Sequence, residues 1–517
     1  MENSTHKLPT ELLVEILLEA VGGPAGWTFQ KVHTLAKVCR RWNDIILRTP
    51  RLWCTIQSGI SPTYNNLVLK RNQWGPLMVR SNFESWLKDI AARSRPNRWN
   101  ALEFGDCHYS AASQDIVNSA TNLQHLTIAL SRVAIDQPAA LPNPTELHTL
   151  HLRFVRILWT GLDSLRLESL WLENLPLFPT NNQIFSVLRS SPCLRCLVLR
   201  EFHVNDQPAD AESQEQPLPE AQQRDPIDLP CLEILVISLV PSSLCHSLLW
   251  RLHIPSCKTA YLDDCHSTHF EAASESKLPE TLSRIFVAAK EIRLTFKARV
   301  GGNYPVVIET LDPRAFHPSM AFGVPECSGL TLRALLPELY AWNNLADAVG
   351  LKDFTGTTTL SVGDPRSGMI GSSAHPMGTP FFQRIAEDMG QSIGILELSL
   401  NPLPILQYLA VPQRVAGTVS VERWPCPNLR RISISMDGFF FRANDEELLH
   451  RCITVLQRSA AKTESLAAPR QLDEFFWYPS SGIIEILSMM DEFRNVKFLG
   501  FREGDWSHPA GGMDSFL

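Results

Sequence analysis

The sequence predicts an α/β chain: three short helical pieces at the N-terminus, then a curved solenoid in which short strands alternate with helices. Three observations carry this expectation. Apolar residues recur at helical spacing over residues 10–20 and 29–47. From residue 99 onward, apolar triplets fall at relative positions one, four and six, and return at a regular interval. Between them lie helical patterns, at 113–120, 183–189, 242–252 and 445–458. One strand-helix unit cannot bury its apolar face alone, so such regularity calls for stacked neighbours.

Composition bounds the answer further. A chain of 517 residues, 44% apolar and 20% charged, is folded rather than disordered and suits two to four domains or one elongated array. Its net charge of −7, with the basic residues scattered, argues against a nucleic-acid partner. No charge-free apolar run reaches the ~18 residues of a membrane span; the longest, 235–250, is broken by Pro241-Ser242-Ser243. The start, Met1-Glu2-Asn3-Ser4-Thr5, lacks the basic and apolar regions of a secretory signal, so a cytoplasmic or nuclear location is expected. Twelve cysteines, set in patterns such as Leu194-Arg195-Cys196-Leu197, predict mostly reduced and buried thiols.

Residues 10–20 place Leu12, Leu13, Ile16, Leu17 and Ala20 on one face, behind Leu8-Pro9. Proline suits a helix start, where its missing N–H costs nothing. After Gly22-Gly23-Pro24, residues 29–47 read as a single amphipathic helix carrying Val32, Leu35, Cys39, Trp42 and Ile46, widened by Val38 and Ile45. Thr49-Pro50 ends it, and Leu52-Trp53 adds a bulky anchor. So short a bundle barely buries a core, which implies docking onto something else.

Leu8-Pro9-Thr10-Glu11-Leu12-Leu13, Ile16-Leu17, Val38-Cys39-Arg40-Arg41-Trp42 and Leu52-Trp53 follow the order and approximate spacing of an F-box, which residues 5–55 resemble. The resemblance implies binding to a Skp-family adaptor, and through it to a cullin scaffold. The matching positions are Leu8, Pro9, Ile16, Leu17, Val38, Cys39, Trp42 and Trp53. Leu12, Leu35 and Ile46 read instead as bundle core. A helix-turn-helix using Arg40, Arg41, Arg48 and Arg51 on DNA is disfavoured, because Val38, Cys39 and Trp42 leave the helix too apolar to read bases.

Residues 56–98 read as a linker with capping helices at 64–71 and 83–92. The triplets beyond resemble leucine-rich repeats. Clear copies are Trp99/Leu102/Phe104, Leu123/Leu126/Ile128, Leu147/Leu150/Leu152, Leu167/Leu170/Leu172, Leu194/Leu197/Leu199 and Leu232/Leu235/Ile237. From Leu102 to Leu197 the steps between fourth positions are 24, 24, 20 and 27 residues, within or next to the roughly 20–29 of that repeat, and the step to Leu235 is 38. The solenoid is assigned to 99–300, with an acidic insertion at 205–228 expected to be disordered. Weaker copies follow at Ala289/Ile292/Leu294, Ile395/Leu398/Leu400, Leu429/Ile432/Ile434 and Val496/Leu499/Phe501. No clean copy falls between residues 304 and 394, and 363–380 reads as a loop. Residues 301–517 are thus a degenerate continuation, with a separate α/β domain as the other option.

On each strand the third, fifth and seventh positions alternate with the core positions and should face outward. They are Thr149, His151 and Arg153; Ser169, Trp171 and Glu173; Cys196, Val198 and Arg200; then Arg431, Ser433 and Ser435. Trp171, flanked by Arg153, Glu173 and Arg200 and near His151, is the candidate centre for holding a substrate protein, since interface anchors are enriched in Trp and Arg. H-E-x-x-H, G-x-S-x-G and phosphate-loop motifs are missing, so no catalytic residue is assigned. Cys193 and Cys196, with Cys257, Cys265 and His266, do not complete a zinc set, and neither metal nor cofactor is expected. The resemblance then implies a substrate-selecting adaptor of an SCF-type cullin ubiquitin ligase, acting by proximity. The alternatives are a repeat scaffold without ligase duty, and an enzyme with a polar pocket between residues 300 and 420.

Overall fold

The computed structural model describes residues 8–21, 29–105, 110–130, 139–140, 146–159, 162–176, 179–202, 226–266, 289–296, 304–310, 329–336, 351, 354–362, 379–398, 403–414, 422–435 and 474–478. The architecture is mixed α/β, with helices at the N-terminus followed by strands. Two compact units are present, one running to Leu262 and one from Asp263 onward.

Helix α1 (Thr10–Val21) buries Leu13, Leu17 and Val21. The single helix expected over 29–47 is in fact two, α2 (Phe29–Ala36) and α3 (Arg40–Arg48). Cys39 breaks the run: its backbone is extended and its thiol accepts the Trp42 N–H at 3.5 Å, capping α3. The three-and-four spacing survives across this break, which is why the sequence reads as continuous. Thr49, extended ahead of Pro50, closes α3 with its hydroxyl on the Ile45 carbonyl at 2.7 Å.

The strand ladder begins earlier than the triplets suggest. Residues 56–98 hold not only α4 (Pro62–Arg71) and α5 (Glu84–Ser94) but also β2 (Leu77–Ser81), and β1 (Thr55–Gln57) precedes them. β1 pairs in parallel with β2, and β2 with β3 (Trp99–Gly105). In β2 the alternating buried residues are Leu77, Val79 and Ser81, so the last core position is polar and hides the pattern.

Parallel pairing continues in order through β4 (His125–Ala129), β5 (Thr149–Arg153), β6 (Ser169–Glu173), β7 (Cys196–Arg200) and β8 (Ile234–Ser238). β9 (Thr259–His266) begins beside β8, with the Lys258 and Thr259 amides on the Glu233 carbonyl. Register aligns Leu102, Leu126, Leu150, Leu170, Leu197 and Leu235 in one buried row, and Phe104, Ile128, Leu152, Leu172, Leu199 and Ile237 in another. Each such side chain contributes about 1.5–3 kcal/mol by leaving water.

Parallel neighbours need crossovers. Among these are α6 (Ala111–Ser119), α7 (Asn181–Ser190) and α8 (Ser242–Arg251). α7 starts with a capping box between Thr180 and Gln183 and buries Ile184, Phe185, Val187 and Leu188.

The residue after each of four strands takes positive φ: Phe154 (54°), Asn174 (51°), Glu201 (54°) and Leu239 (51°). The amides of the first three donate to the carbonyls of Glu173, Arg200 and Ser238 on the next strand, which prolongs the ladder by one rung. The chain then turns inward, and Val155, Leu175 and Phe202 are buried. Most of the acidic insertion lies outside the described residues; at its far end, Ile227–Asp228 pairs with Leu252–His253, and Ile227 is buried.

In the second unit, β10 (Glu291–Phe296) pairs antiparallel with β11 (Tyr304–Thr310), and β11 with β12 (Gly329–Leu336). β10 pairs in parallel with β13 (Thr357–Val362) on its other edge, so β11 and β12 are strands of this unit's sheet rather than a hairpin lying outside it. β14 (Ile393–Leu398), β15 (Arg431–Ser435) and β16 (Glu474–Tyr478) extend it in parallel. β13 leaves no apolar triplet in the sequence because its core includes Thr358 and Thr359, whose hydroxyls bond Ser392 and Glu291. The expected triplet Ile395/Leu398/Leu400 is two residues out of register: Ile393, Leu396 and Leu398 are buried, while Ile395 pairs with Arg431.

One device recurs in both units. Asn122 donates to the Asn97 carbonyl at 2.8 Å and Asn428 to the Gln391 carbonyl at 2.7 Å, each just ahead of a buried leucine. α9 (Thr379–Met389) and α10 (Leu403–Leu409) meet through Phe382 and Tyr408, edge to face at 5.8 Å. The expected loop at 363–380, the helix at 445–458 and the triplet at 496–501 lie outside the described residues, save for the start of α9 at Thr379. Among the described residues no helix is long and apolar enough to cross a membrane.

Candidate functional site

The helical N-terminus leaves apolar side chains in water. Pro9 is exposed, and Leu12 (52%) and Ile16 (46%) follow it along one face of α1; Val38 (57%) projects from the turn between α2 and α3. Leu12, expected in the core, is therefore part of this surface, whereas Ile46 is buried and Leu35 half-buried. Leu8, Cys39 and Trp42 are half-buried, and the Trp42 indole N–H has no hydrogen-bond partner among the described residues. Arg41 donates to the Leu8 carbonyl and holds that end of the chain against α3.

Two residues expected at the docking surface are not there. Leu17 is fully buried, facing the interior with Leu13 and Val21. Trp53 is buried because its indole N–H donates to the Ile46 carbonyl at 2.7 Å, its ring lies 6.0 Å from Tyr64, and the Arg71 guanidinium sits 4.9 Å above it. Arg71 also donates to the Leu47 carbonyl. Burial pushes the Tyr64 phenol up, with Cys54 adding to the effect. Trp53 therefore joins the helical domain to α4.

On the strand face, register puts Glu103, Thr127, His151, Trp171, Val198 and Val236 in one row, and Ala129, Arg153, Glu173, Arg200 and Ser238 in the next. The His151 and Trp171 rings are 5.3 Å apart and tilted by 52°. The Glu173 carboxylate stands 3.9 Å from both His151 Nε2 and Arg153 Nε, too far for hydrogen bonds; the Arg153 contact is an ion pair, and the His151 contact becomes one when the imidazole is protonated. His151 chiefly, with Arg153 and Arg200, holds the Glu173 carboxyl below its usual range against the opposing effect of burial. All five expected site residues on β5, β6 and β7 are thus brought together.

The face is less open than alternation implied: Val198 and Val236 are buried at 1% and 0%, and burial pushes the Cys196 thiol up despite bonds to Trp171 and Ser169. Arg431 and Ser433 lie on β15 in the other unit. Missed from the sequence were Arg80 and Glu103, paired at 2.7 Å on the outward positions of β2 and β3. The signal available was the alternation Met78/Arg80 against Leu77/Val79.

Among the described residues, no cluster of three His, Cys, Asp or Glu side chains could hold a metal ion. Among the described side chains, Cys245, Cys257 and Cys426 are buried, Cys39, Cys54 and Cys196 are half-buried, and Cys193 and Cys231 are exposed. Burial pushes the Cys257 thiol up to about 12.

No curated protein matches the chain. Residues 5–57 match the F-box-like family, a span that takes in α1, α2 and α3, Trp53 and all of β1. The chain carries an F-box-like domain at residues 5–57, a module suited to protein–protein interaction.

Proposed function

We propose that the chain is the substrate-selecting subunit of an SCF-type cullin ubiquitin ligase, its F-box-like domain docking a Skp-family adaptor and its strand ladder, as a leucine-rich-repeat-like solenoid, holding the target protein. The observation that carries this reading is the exposed apolar set Pro9, Leu12, Ile16 and Val38 on the matched domain. Apolar side chains clustered in water mark interaction surfaces, and buried apolar anchors dominate such interfaces. In this reading the chain supplies no chemistry of its own; it works in the cytoplasm or nucleus by bringing a charged conjugating enzyme and a target together. The target rests on the outward face around His151, Arg153, Trp171, Glu173 and Arg200.

The test is capture of a Skp-family adaptor by the full chain. Ile16→Ala and Val38→Ala should each weaken binding by about 2 kcal/mol, roughly 30-fold, without lowering stability, because both side chains are exposed. Unchanged affinity in the double variant would sink the docking surface. Normal adaptor binding with no change in any protein's turnover after deletion would favour a scaffold without ligase duty.

A further inference from the structure

Three successive strand leads are built alike. Leu194, Leu232 and Cys257 each close a turn by donating to a carbonyl three residues back, that of Ser191, Leu229 or Ile254. The residue before each is Cys193, Cys231 or Ser256, and a proline precedes all three. Cys193 and Cys231 are each three residues ahead of the register pair Cys196 and Ile234. The Glu233 and Ile234 amides, bonded to the Arg195 carbonyl, carry the ladder back almost to the cysteines. Neighbouring parallel strands lie about 4.8 Å apart, within the roughly 4.4–6.8 Å Cα separation of a disulfide.

Both thiols are exposed, and both line one shallow pocket of about 530 Å³ with Glu168, Arg195, Glu233 and Lys258. Arg195 and Lys258 are held by Glu233 at 2.6 and 2.8 Å, so the pocket rim is braced on both sides of Cys231. Cys196, the nearer cysteine in sequence, is bonded to Trp171 and Ser169 instead.

We propose that Cys193 and Cys231 form a dithiol site that closes to a disulfide on exposure to a peroxide. One thiolate attacks the peroxide oxygen to give a sulfenic acid, releasing hydroxide; the second thiol attacks that sulfur, the S–S bond forms and water leaves. Both sulfurs are oxidised and the peroxide is reduced to two waters. The bond staples β7 to β8 and closes the intervening segment into a ring.

The test treats the reduced full chain with hydrogen peroxide and maps its peptides without reductant. The expected product is a monomer with Cys193 linked to Cys231, reversed by dithiothreitol and absent from Cys231→Ser and Cys193→Ser. A Cys193–Cys196 link, or separate oxidation of the two cysteines without a bridge, overturns the proposal. A second measurement needs no variant and no oxidant: a trivalent arsenical, which bridges two close thiols, should shield both cysteines of the wild-type chain from alkylation. Full alkylation of both in its presence also overturns it.

Discussion

At the scale of single residues, Leu239 combines positive φ with 45% exposure, so its side chain gains little from burial while its backbone is strained. A left-handed conformation costs a non-glycine residue about 1–2 kcal/mol, partly offset by glycine's greater chain entropy. Leu239→Gly should therefore stabilise the protein by about 0.5–1 kcal/mol, read as a raised denaturation midpoint. Glu173 gives a pH prediction. Its carboxyl is held below the usual range in the folded chain, so its contribution is present above the unfolded value of about 4.3 and is lost as pH falls through the folded value. Glu173→Gln should flatten that part of the acid limb; an unchanged limb would show that the ion pairs with His151 and Arg153 carry no weight. The Glu173 neighbourhood was legible in the sequence because outward positions alternate with leucines. Arg80 and Glu103 were not read as a pair because β2 ends on a buried serine.

At the scale of elements, legibility followed the chemistry of the core positions. Strands whose first, fourth and sixth positions are leucine or isoleucine were readable, and β4 to β8 fall where the triplets put them. Where serine or threonine fills a core position and satisfies its hydroxyl locally, as Ser81 does on the Phe83 carbonyl and Thr358 with Ser392, the pattern disappears. β14 shows the opposite difficulty: Ser392-Ile393-Gly394-Ile395-Leu396-Glu397-Leu398 alternates so regularly that a shift of two residues fits as well. Helix boundaries depend on caps, which hydrophobic period does not report, and so Cys39 passed as a helix interior. The α7 cap offers a direct check. Thr180→Ala removes the side-chain acceptor for the Gln183 amide and should cost about 1 kcal/mol in chemical unfolding; no loss would mean that the buried face of α7 alone fixes its start.

At the scale of the whole molecule, Trp53 joins the F-box-like domain to α4 of the first unit. Removing it deletes the contacts to Ile46, Tyr64 and Arg71 together, and Trp53→Ala should destabilise by about 3–5 kcal/mol. By the same logic a fragment ending at Gln57 lacks Tyr64 and Arg71 and should melt broadly by circular dichroism, whereas one extended to Gly105 should melt cooperatively; a sharp transition in the shorter piece would contradict this. Because the matched domain ends on the last residue of β1, no free linker separates it from the strands. In the adaptor reading the ladder is then a ruler. Trp171 on β6 stands five strand spacings from β1, about 24 Å. Excising one strand-helix unit between them would bring a bound target about 4.8 Å nearer the docking domain, shifting which of the target's lysines come within reach.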